Sequence, residues 1–406
     1  MEKLISILGL GIMILIAYLI SDNKKSIDWK LVGMGVGMQL IFGVLILKWT
    51  PGRMLFNVLN DLVTKLLNFT KEGTAFLFGD LLNIESFGFI FALQILPTII
   101  FFSALMAILY HVGIMEKIVT VLAKIMSKLL GTSGAESLSA AANIFVGQTE
   151  APLVIKPFIK SMTKSELLTI MTGGMATVAG GVMAGYVSMG VEAGHLIAAS
   201  IMSAPASLII AKIMVPETET PVTKGQVKIE LDEIDANIID AAARGTSEGL
   251  KLALNVGAML LSFIAIVALI NALIGFVGNL LGLDYLSLEW ILGRLFAPLA
   301  YIMGIPLSDA VEAGNLLGQK IVINEFFAYA NLSKLIKAGA LNHRTIVILT
   351  YALCGFANFS SIGIQVGGIG SLAPERRSDI AKLGLKSLIG GSLAAFMTAT
   401  IAGILI

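Results

Sequence analysis

The chain has one cysteine, Cys354, and three histidines, His111, His195 and His343, among its 406 residues. One cysteine excludes an internal disulfide, and histidines this far apart in sequence give no support to a metal site built from thiolates and imidazoles. Charged residues make up only 14% of the chain, whereas soluble proteins usually carry about a quarter. The net charge of +1 gives no indication of nucleic-acid binding. The sequence therefore lacks the solvated surface of a soluble protein.

Hydrophobic residues make up 56% of the chain, and its mean hydropathy is +0.89. A membrane-spanning helix needs about 20 mostly apolar residues, and such runs recur along the sequence. They predict an all-α polytopic membrane protein with eight transmembrane helices, at residues 4–20, 31–47, 87–110, 166–187, 196–215, 252–282, 345–366 and 380–406. The alternative for the first run is a cleaved signal peptide, but Glu2 offsets Lys3 before it and the polar stretch SDNKKS follows it.

Five further segments do not have the pattern of ordinary spans. Residues 52–70 and 114–130 each have an apolar and a polar side, which predicts interfacial helices lying along the membrane surface. Residues 216–250 begin PETETPVTKGQVKIELDEID and predict a hydrophilic linker followed by a short surface helix. Residues 134–160 and 289–331 are too polar for spans and too apolar for loops. We expect two re-entrant hairpins there, with Pro306 near the turn of the second.

Basic residues indicate the orientation, because cytoplasmic segments carry more Lys and Arg. If the amino terminus is outside and each hairpin enters and leaves on one side, the basic residues concentrate inside. That inside group includes Lys24, Lys25, Lys156, Lys160, Lys164, Arg376 and Arg377. The sequence therefore predicts that both termini lie outside and that the two hairpins enter from opposite sides.

Two short patterns occur twice in the same order. Residues 142–149 read ANIFVGQT and residues 314–320 read GNLLGQK. The first pattern is followed by GMATVA at 174–179 and the second by GFANFS at 355–360. With the orientation above, the two units have opposite directions in the membrane. An inverted repeat with broken helices around a midplane site is typical of secondary transporters.

The polar residues near these breaks are the candidate site. Gln148, Thr149 and Glu150 are adjacent within an apolar stretch, and Glu325 lies in the second segment. A carboxylate at membrane depth indicates a transport pathway, although Glu150 could instead be a structural group paired with Lys156. Three further charged residues of the second segment are expected at its mouth or paired with one another, with no binding role: Asp309, Glu312 and Lys320.

The longest polar motifs resemble those of a known family. The stretches AANIFVGQTEAPL (141–153), NEFFAY (324–329) and CGFANFSSIG (354–363) resemble the concentrative nucleoside transporters, in particular the bacterial sodium-coupled members. The likeness in motif order and spacing extends over essentially the whole chain. It implies a homotrimer in the bacterial inner (plasma) membrane, with eight spans, two oppositely oriented re-entrant hairpins and interfacial helices in each protomer. It also implies a transport domain that moves like an elevator against a scaffold.

This resemblance implies a division of the chain into scaffold and transport parts. Residues 1–110 are expected to form scaffold spans and an interfacial helix. Residues 111–215 are expected to form the second interfacial helix, the first hairpin and the first half of the transport domain. Residues 216–250 would be the cytoplasmic linker and surface helix, residues 251–288 a scaffold span, and residues 289–406 the second hairpin and the second half of the transport domain.

The resemblance also implies roles for individual residues. Three polar residues of the first hairpin would bind the nucleobase: Gln148, Thr149 and Glu150. The ribose would be bound by Glu325, Asn358 and Ser361, with Phe356 against the base. A coupling sodium ion would be held by Asn143, the Val146 carbonyl, Thr177 and the Val178 carbonyl.

The chemistry of these residues agrees with a neutral solute. An ionised Glu325 accepts hydrogen bonds only, as a sugar diol requires, and Gln148 offers both a donor and an acceptor to the edge of a base. No Arg or Lys is among the implied positions, whereas phosphate recognition generally recruits Arg. The substrates expected are nucleosides such as uridine, cytidine and adenosine, with no organic cofactor and no nucleic-acid partner.

Other interpretations of these residues remain open. Asn358 and Ser361 could simply join helices, and Phe356 could be a packing residue. Protons could replace sodium through Glu150 or Glu325, although Asn143 and Thr177 favour sodium; a channel for small neutral solutes is a further alternative. An intramembrane hydrolase is disfavoured, because the spans contain no Asp pair and the histidines lie at helix ends.

Overall fold

The computed structural model describes residues 2–88, 90–225, 235–283 and 285–406, and within these ranges the chain is helical and contains no β-strand. The prediction of an all-α membrane protein is confirmed. Seven helical stretches of these ranges are long and apolar enough to cross a membrane. Polar residues lie close together where these helices end or are interrupted.

The described part of the first half of the chain contains twelve α-helices. They are α1 (Glu2–Leu19), α2 (Trp29–Leu47), α3 (Thr50–Phe78), α4 (Ile84–Phe87), α5 (Phe91–Gln94), α6 (Leu96–His111), α7 (Ile114–Leu130), α8 (Gly134–Ala142), α9 (Lys156–Ile159), α10 (Lys164–Ala176), α11 (Gly180–Ser188) and α12 (Ala193–Met214). The amphipathic helix α7 coincides with its predicted limits, because Gly113 and Gly131 adopt left-handed conformations at its two ends. The other amphipathic helix, α3, is longer than its predicted range.

Seven further α-helices lie in the second half, within residues 235–283 and 285–406. They are α13 (Ile238–Leu280), α14 (Leu288–Ile302), α15 (Leu307–Val322), α16 (Glu325–Lys337), α17 (His343–Leu353), α18 (Phe359–Leu372) and α19 (Arg377–Leu405). The surface helix expected before residue 251 is continuous with the span that follows it, since no proline interrupts α13. The part of the predicted linker at residues 226–234 lies outside the described residues.

The second hairpin differs from the prediction in its limits. Pro306 does not lie near its turn; it precedes α15, where α14 and α15 meet at an angle of 118°. The break that carries Glu325 comes later, between α15 and α16, where the Asn324 side chain accepts a hydrogen bond from the Phe327 amide and begins a new helix. The helix–break–helix unit is therefore Leu307–Lys337 rather than residues 289–331, and α14 is a separate helix.

The base of the first hairpin lies at one end of the helix bundle. Ser133 and Glu136 form a capping box at the start of α8, and Ser133 Oγ donates a hydrogen bond to Glu166 of α10 at 2.5 Å. Lys212 near the end of α12 forms an ion pair with Glu136 at 2.8 Å. The loop after α1 lies at this same end, because the Asp22 amide donates to the Met214 carbonyl.

The base of the second hairpin lies near the start of α1, where Arg344 donates to Ser6 Oγ, and thus at the other end of α1 from the base of the first. Asp309 in the first turn of α15 accepts hydrogen bonds from the Asn342 amide at 3.0 Å and from Thr345 Oγ1 at 2.7 Å, both at the start of α17. Arg344 binds the carbonyls of Gly304 and Gly403 and thereby joins α14, α17 and the end of α19. The two hairpins therefore start from opposite ends of the bundle and run toward each other.

Candidate substrate and ion site

Two broken helices cross where the hairpins meet. The pair α10 and α11 is interrupted at residues 177–179, and the pair α17 and α18 at residues 354–358. The Phe356 amide donates a hydrogen bond to the Thr177 carbonyl at 3.3 Å, so the two breaks are in direct contact. The first hairpin joins them through the Phe145 carbonyl, which accepts from the Gly180 amide at 3.0 Å. At these two points the unwound backbone is satisfied by protein rather than by lipid, as a membrane interior requires.

Glu325 is the centre of one polar cluster. Its side chain is only 5% exposed, and its two oxygens accept hydrogen bonds from Tyr186 Oη at 3.1 Å and Asn358 Nδ2 at 3.0 Å. The side-chain amide of Asn358 cannot be flipped, because its Oδ1 accepts a hydrogen bond from the Ser361 amide as the cap of α18. Each Glu325 oxygen therefore has a hydrogen-bond donor beside it, and Asn358 Nδ2 is a fixed donor.

The first hairpin contributes to the same cluster through Gln148. Its Nε2 lies 3.0 Å from Ser361 Oγ, which joins a residue of the first hairpin to the helix that carries Asn358. The Gln148 Oε1 atom is buried and has no hydrogen-bond partner in the described part of the chain. Thr149 lies beside α18, since a Cβ built on Gly368 would be 2.6 Å from its methyl group. Four of the predicted residues, Gln148, Glu325, Asn358 and Ser361, are thus linked by hydrogen bonds.

The remaining predicted substrate residues lie beside this cluster. Glu150 is exposed, and its carboxylate folds back over Gly147. No salt bridge joins it to Lys156, so the structural role considered for it has no support in the geometry of these two residues. Phe356 is partly buried and follows Gly355, whose φ of +127° few other residues adopt.

The residues predicted to hold an ion also converge. Asn143 ends α8, is 0% exposed, and has no hydrogen-bond partner for either atom of its amide among the described residues. It lies against the last turn of α10, where a Cβ on Gly173 would be 3.2 Å from its Nδ2. Thr177 Oγ1 donates to the Gly173 carbonyl at 2.9 Å and keeps its own lone pairs available.

The other two ligands predicted for the ion are backbone carbonyls. Those of Val146 and Val178, next to the breaks, accept no hydrogen bond within the described chain. Amide, hydroxyl and carbonyl oxygens are the ligands that hard cations prefer, and these residues fit a sodium ion for that reason. Among the residues that the structure describes, no cluster of three or more His, Cys, Asp or Glu side chains could hold a metal ion.

The structure also places residues here that the sequence analysis missed. Tyr186 of α11 is completely buried, donates to Glu325 and stacks on Tyr329 with ring centroids 4.3 Å apart. Gln365 of α18 donates to the Met171 carbonyl of α10 at 2.9 Å. Lys320 was expected at the mouth of the hairpin or paired with Asp309 or Glu312, and this was wrong, because its side chain is 0% exposed and its Nζ donates to the Ala352 carbonyl. These contacts depend on tertiary proximity, and no local sequence pattern indicated them.

Three family models together match almost the whole chain. The model described as Na+ dependent nucleoside transporter N-terminus matches residues 8–81, the one described as Nucleoside recognition matches residues 92–193, and the one described as Na+ dependent nucleoside transporter C-terminus matches residues 195–403. The last model includes α15 to α18, which carry Glu325 and Asn358.

Curated relatives are similar over the full length of this chain. The chain is 49% identical to the uncharacterized transporter YutK of Bacillus subtilis, with all of both chains covered. It is 46% identical to the nucleoside permease NupC of Helicobacter pylori, covering 100% of this chain and 98% of that protein. Sodium/nucleoside cotransporter 1 of Mus musculus is 38% identical, and the chain spans 64% of its length.

Solved structures agree with the sequence relatives. The fold matches CNTnw in an inward-facing substrate-bound state with a TM-score of 0.94 at 47% identity, covering 100% of this chain and 98% of that chain. It matches a CNTnw variant in an outward-facing state with a TM-score of 0.96 at 47% identity and the same coverage. On these grounds the chain belongs to the sodium-dependent, or concentrative, nucleoside transporter family.

Proposed function

We propose that this chain is a secondary active transporter that imports nucleosides by sodium symport with elevator-type alternating access. One observation carries the proposal. The oxygen set around Asn143 and the polar cluster around Glu325 adjoin the same crossing of two broken helices, which the hydrogen bond from Phe356 to Thr177 joins. An ion at the first position would order the backbone that presents the second.

The Glu325 cluster fits a nucleoside. Glu325 and Asn358 present an acceptor and a fixed donor beside each other, which suits the two hydroxyls of a ribose. The unpartnered Gln148 Oε1 supplies an acceptor for the edge of a base, and Thr149 and Glu150 add polar atoms beside it. Uridine, cytidine and adenosine all carry a ribose and a base with both donors and acceptors, so we propose them as substrates.

The sodium position fits the energetics of uptake. Asn143, Thr177 and the carbonyls of Val146 and Val178 carry no carboxylate, so the bound ion would keep its positive charge as it crosses the membrane. One positive charge moving down a potential of 100 mV gains about 2.3 kcal/mol, which corresponds to an accumulation of roughly fifty-fold. A sodium concentration gradient would add to this.

The arrangement in the membrane follows from the two ends of the bundle. We propose that the end with the Lys212 and Glu136 ion pair is cytoplasmic and that both termini are outside, at the end where Arg344 binds Gly403. Each hairpin would then be re-entrant, and eight spans would result if α17 and α18 cross together. Residues 1–110 and 251–288 would form the scaffold of a homotrimer in the bacterial inner membrane, and residues 111–215 and 289–406 would move against it.

Uptake of radiolabelled uridine into proteoliposomes tests this function. An inward sodium gradient should drive accumulation, and a pH gradient without sodium should not. In the same vesicles, Asn143→Ala should raise the sodium concentration for half-maximal uptake about tenfold, because one oxygen ligand of the ion is removed. Asn60→Ala is the matched control, because the Asn60 side chain accepts a hydrogen bond from the Ala193 amide at the start of α12, outside both breaks.

Three outcomes would contradict the proposal. Uptake that follows a pH gradient and ignores sodium would assign coupling to protons. An unchanged sodium dependence in Asn143→Ala, with normal uptake, would place the ion elsewhere. Uptake that equilibrates uridine but never concentrates it would instead indicate a channel.

A further inference from the structure

Lys320 is a buried lysine with an unusual partner. It is the third residue from the end of α15, its side chain is 0% exposed, and its Nζ donates a hydrogen bond to the Ala352 carbonyl at 2.8 Å. The ammonium also lies 5.5 Å from the centroid of the Phe396 ring. No carboxylate of the described chain forms a salt bridge with it. A charge held this deeply in a membrane protein is costly and indicates a function.

The partner carbonyl belongs to the last turn of a broken helix. Helix α17 ends at Leu353, so its final carbonyls have no partners within the helix and carry the negative end of the helix dipole. The second hairpin satisfies two of them, because Tyr329 Oη donates to the Thr350 carbonyl at 2.6 Å and Lys320 binds that of Ala352. A cation is the group best suited to this position.

The first half of the molecule has the corresponding arrangement without the cation. There Asn143, at the end of the first arm of its hairpin, lies against the last turn of α10. Both of its amide atoms lack partners among the described residues, and two adjacent carbonyls are unbonded as well. The first hairpin thus leaves oxygens available for a free cation, whereas the second hairpin supplies a cation of its own, the Lys320 ammonium.

We propose that Lys320 is a tethered cation, and that it fixes the break between α17 and α18 as a sodium ion fixes the break between α10 and α11. Lys320 is accordingly a positioning residue. It acts through Ala352 on residues 354–358, which present Phe356 and Asn358 to the nucleoside. The inference rests on the proposed function and deepens it, since a cation built into the second half leaves a single sodium position, in the first.

Replacing Lys320 tests the inference through the nucleoside dependence of uptake. In Lys320→Met, which keeps most of the length of the unbranched side chain and removes the charge, the KM for uridine should rise about tenfold or more. The maximal rate per folded protein should change much less. A purely structural lysine would reduce the amount of folded protein and leave KM unchanged. Lys334→Met is the matched control, because Lys334 is an exposed lysine of the same hairpin.

Exogenous amines provide a second readout. In Lys320→Ala, ethylammonium should lower the KM for uridine at least threefold, whereas the larger tetramethylammonium, which donates no hydrogen bond, should not. If Lys320→Met does not fold, the inference is tested by the melting temperature of Lys320→Ala in detergent. Ethylammonium should raise that melting temperature, and tetramethylammonium should not. An unchanged KM in folded Lys320→Met, or no difference between the two amines, would overturn the inference.

Uptake by the wild-type protein distinguishes a failure of this inference from a failure of the proposed function. Wild-type vesicles that show no sodium-driven uridine uptake would contradict the proposed function. Sodium-driven uptake in wild type together with an unchanged KM in Lys320→Met would contradict only the role of Lys320.

Discussion

Replacing Glu325 by glutamine should reduce the efficiency of uridine uptake roughly 100-fold, or about 3 kcal/mol. The substitution keeps the shape of the side chain and removes its charge. Both groups that bind Glu325, Tyr186 Oη and Asn358 Nδ2, are donors. A glutamine keeps an oxygen for Asn358 Nδ2, but its amide nitrogen would face Tyr186 Oη, whose hydroxyl must then turn to accept a hydrogen bond instead of donating one. The same change removes the charged acceptor proposed for the ribose hydroxyls.

The measurement is sodium-driven uptake at several uridine concentrations, with melting temperature as the test of folding. Glu312→Gln is the matched control, because Glu312 lies on the same hairpin and accepts a hydrogen bond from Asn315 Nδ2 at 3.5 Å, and Asn315 is not a site residue. We expect Glu312→Gln to transport as wild type does. Uptake by folded Glu325→Gln within a factor of two of wild type would remove Glu325 from the site.

The second large effect is expected at the crossing of the broken helices. Gly355 has a φ of +127°, and a Cβ added to it would lie 2.7 Å from the Met175 carbonyl oxygen and 2.9 Å from the Ala176 carbonyl carbon. Both atoms are backbone of α10, so they cannot move unless the end of that helix moves. Gly355→Ala should therefore displace Thr177 and Phe356 together. We expect uptake to fall more than tenfold and stability to fall by about 2 kcal/mol or more.

Gly367→Ala serves as the control for this substitution. Gly367 lies within α18, and a Cβ there would meet no atom within 4 Å. Alanine in a helix interior is favourable relative to glycine, so melting temperature should be unchanged or higher and uptake should be retained. Normal uptake and stability in Gly355→Ala would show that the two breaks are not in the close contact described here.

The sequence predicted elements well where the signal is local. Helix α7 has a glycine at each end and an amphipathic pattern between, so its limits could be read directly. Helices α1, α2 and α12 lie within three residues of their predicted ends, because an uninterrupted apolar run defines a span. The motif resemblance identified the family, which the sequence relatives and solved structures support.

Other features required tertiary information. Pro306 suggested a turn near itself, but a proline at the start of a helix only ends what precedes it. The break before Glu325 has neither Gly nor Pro, and its one local signal is Asn324 as the cap of the next helix. Tyr186 and Lys320 are far in sequence from the groups they bind, so no pattern along the chain could pair Tyr186 with Glu325 or Lys320 with Ala352.

Linkage between sodium and nucleoside tests the central idea most directly. Uridine binding to purified protein in detergent can be measured by calorimetry in sodium chloride and in potassium chloride of equal concentration. If an ion at Asn143 orders the crossing that presents Glu325 and Asn358, uridine should bind roughly 5- to 150-fold more tightly in sodium. Sodium should in turn bind more tightly by the same factor when uridine is present. Equal uridine affinity in the two salts would contradict this account.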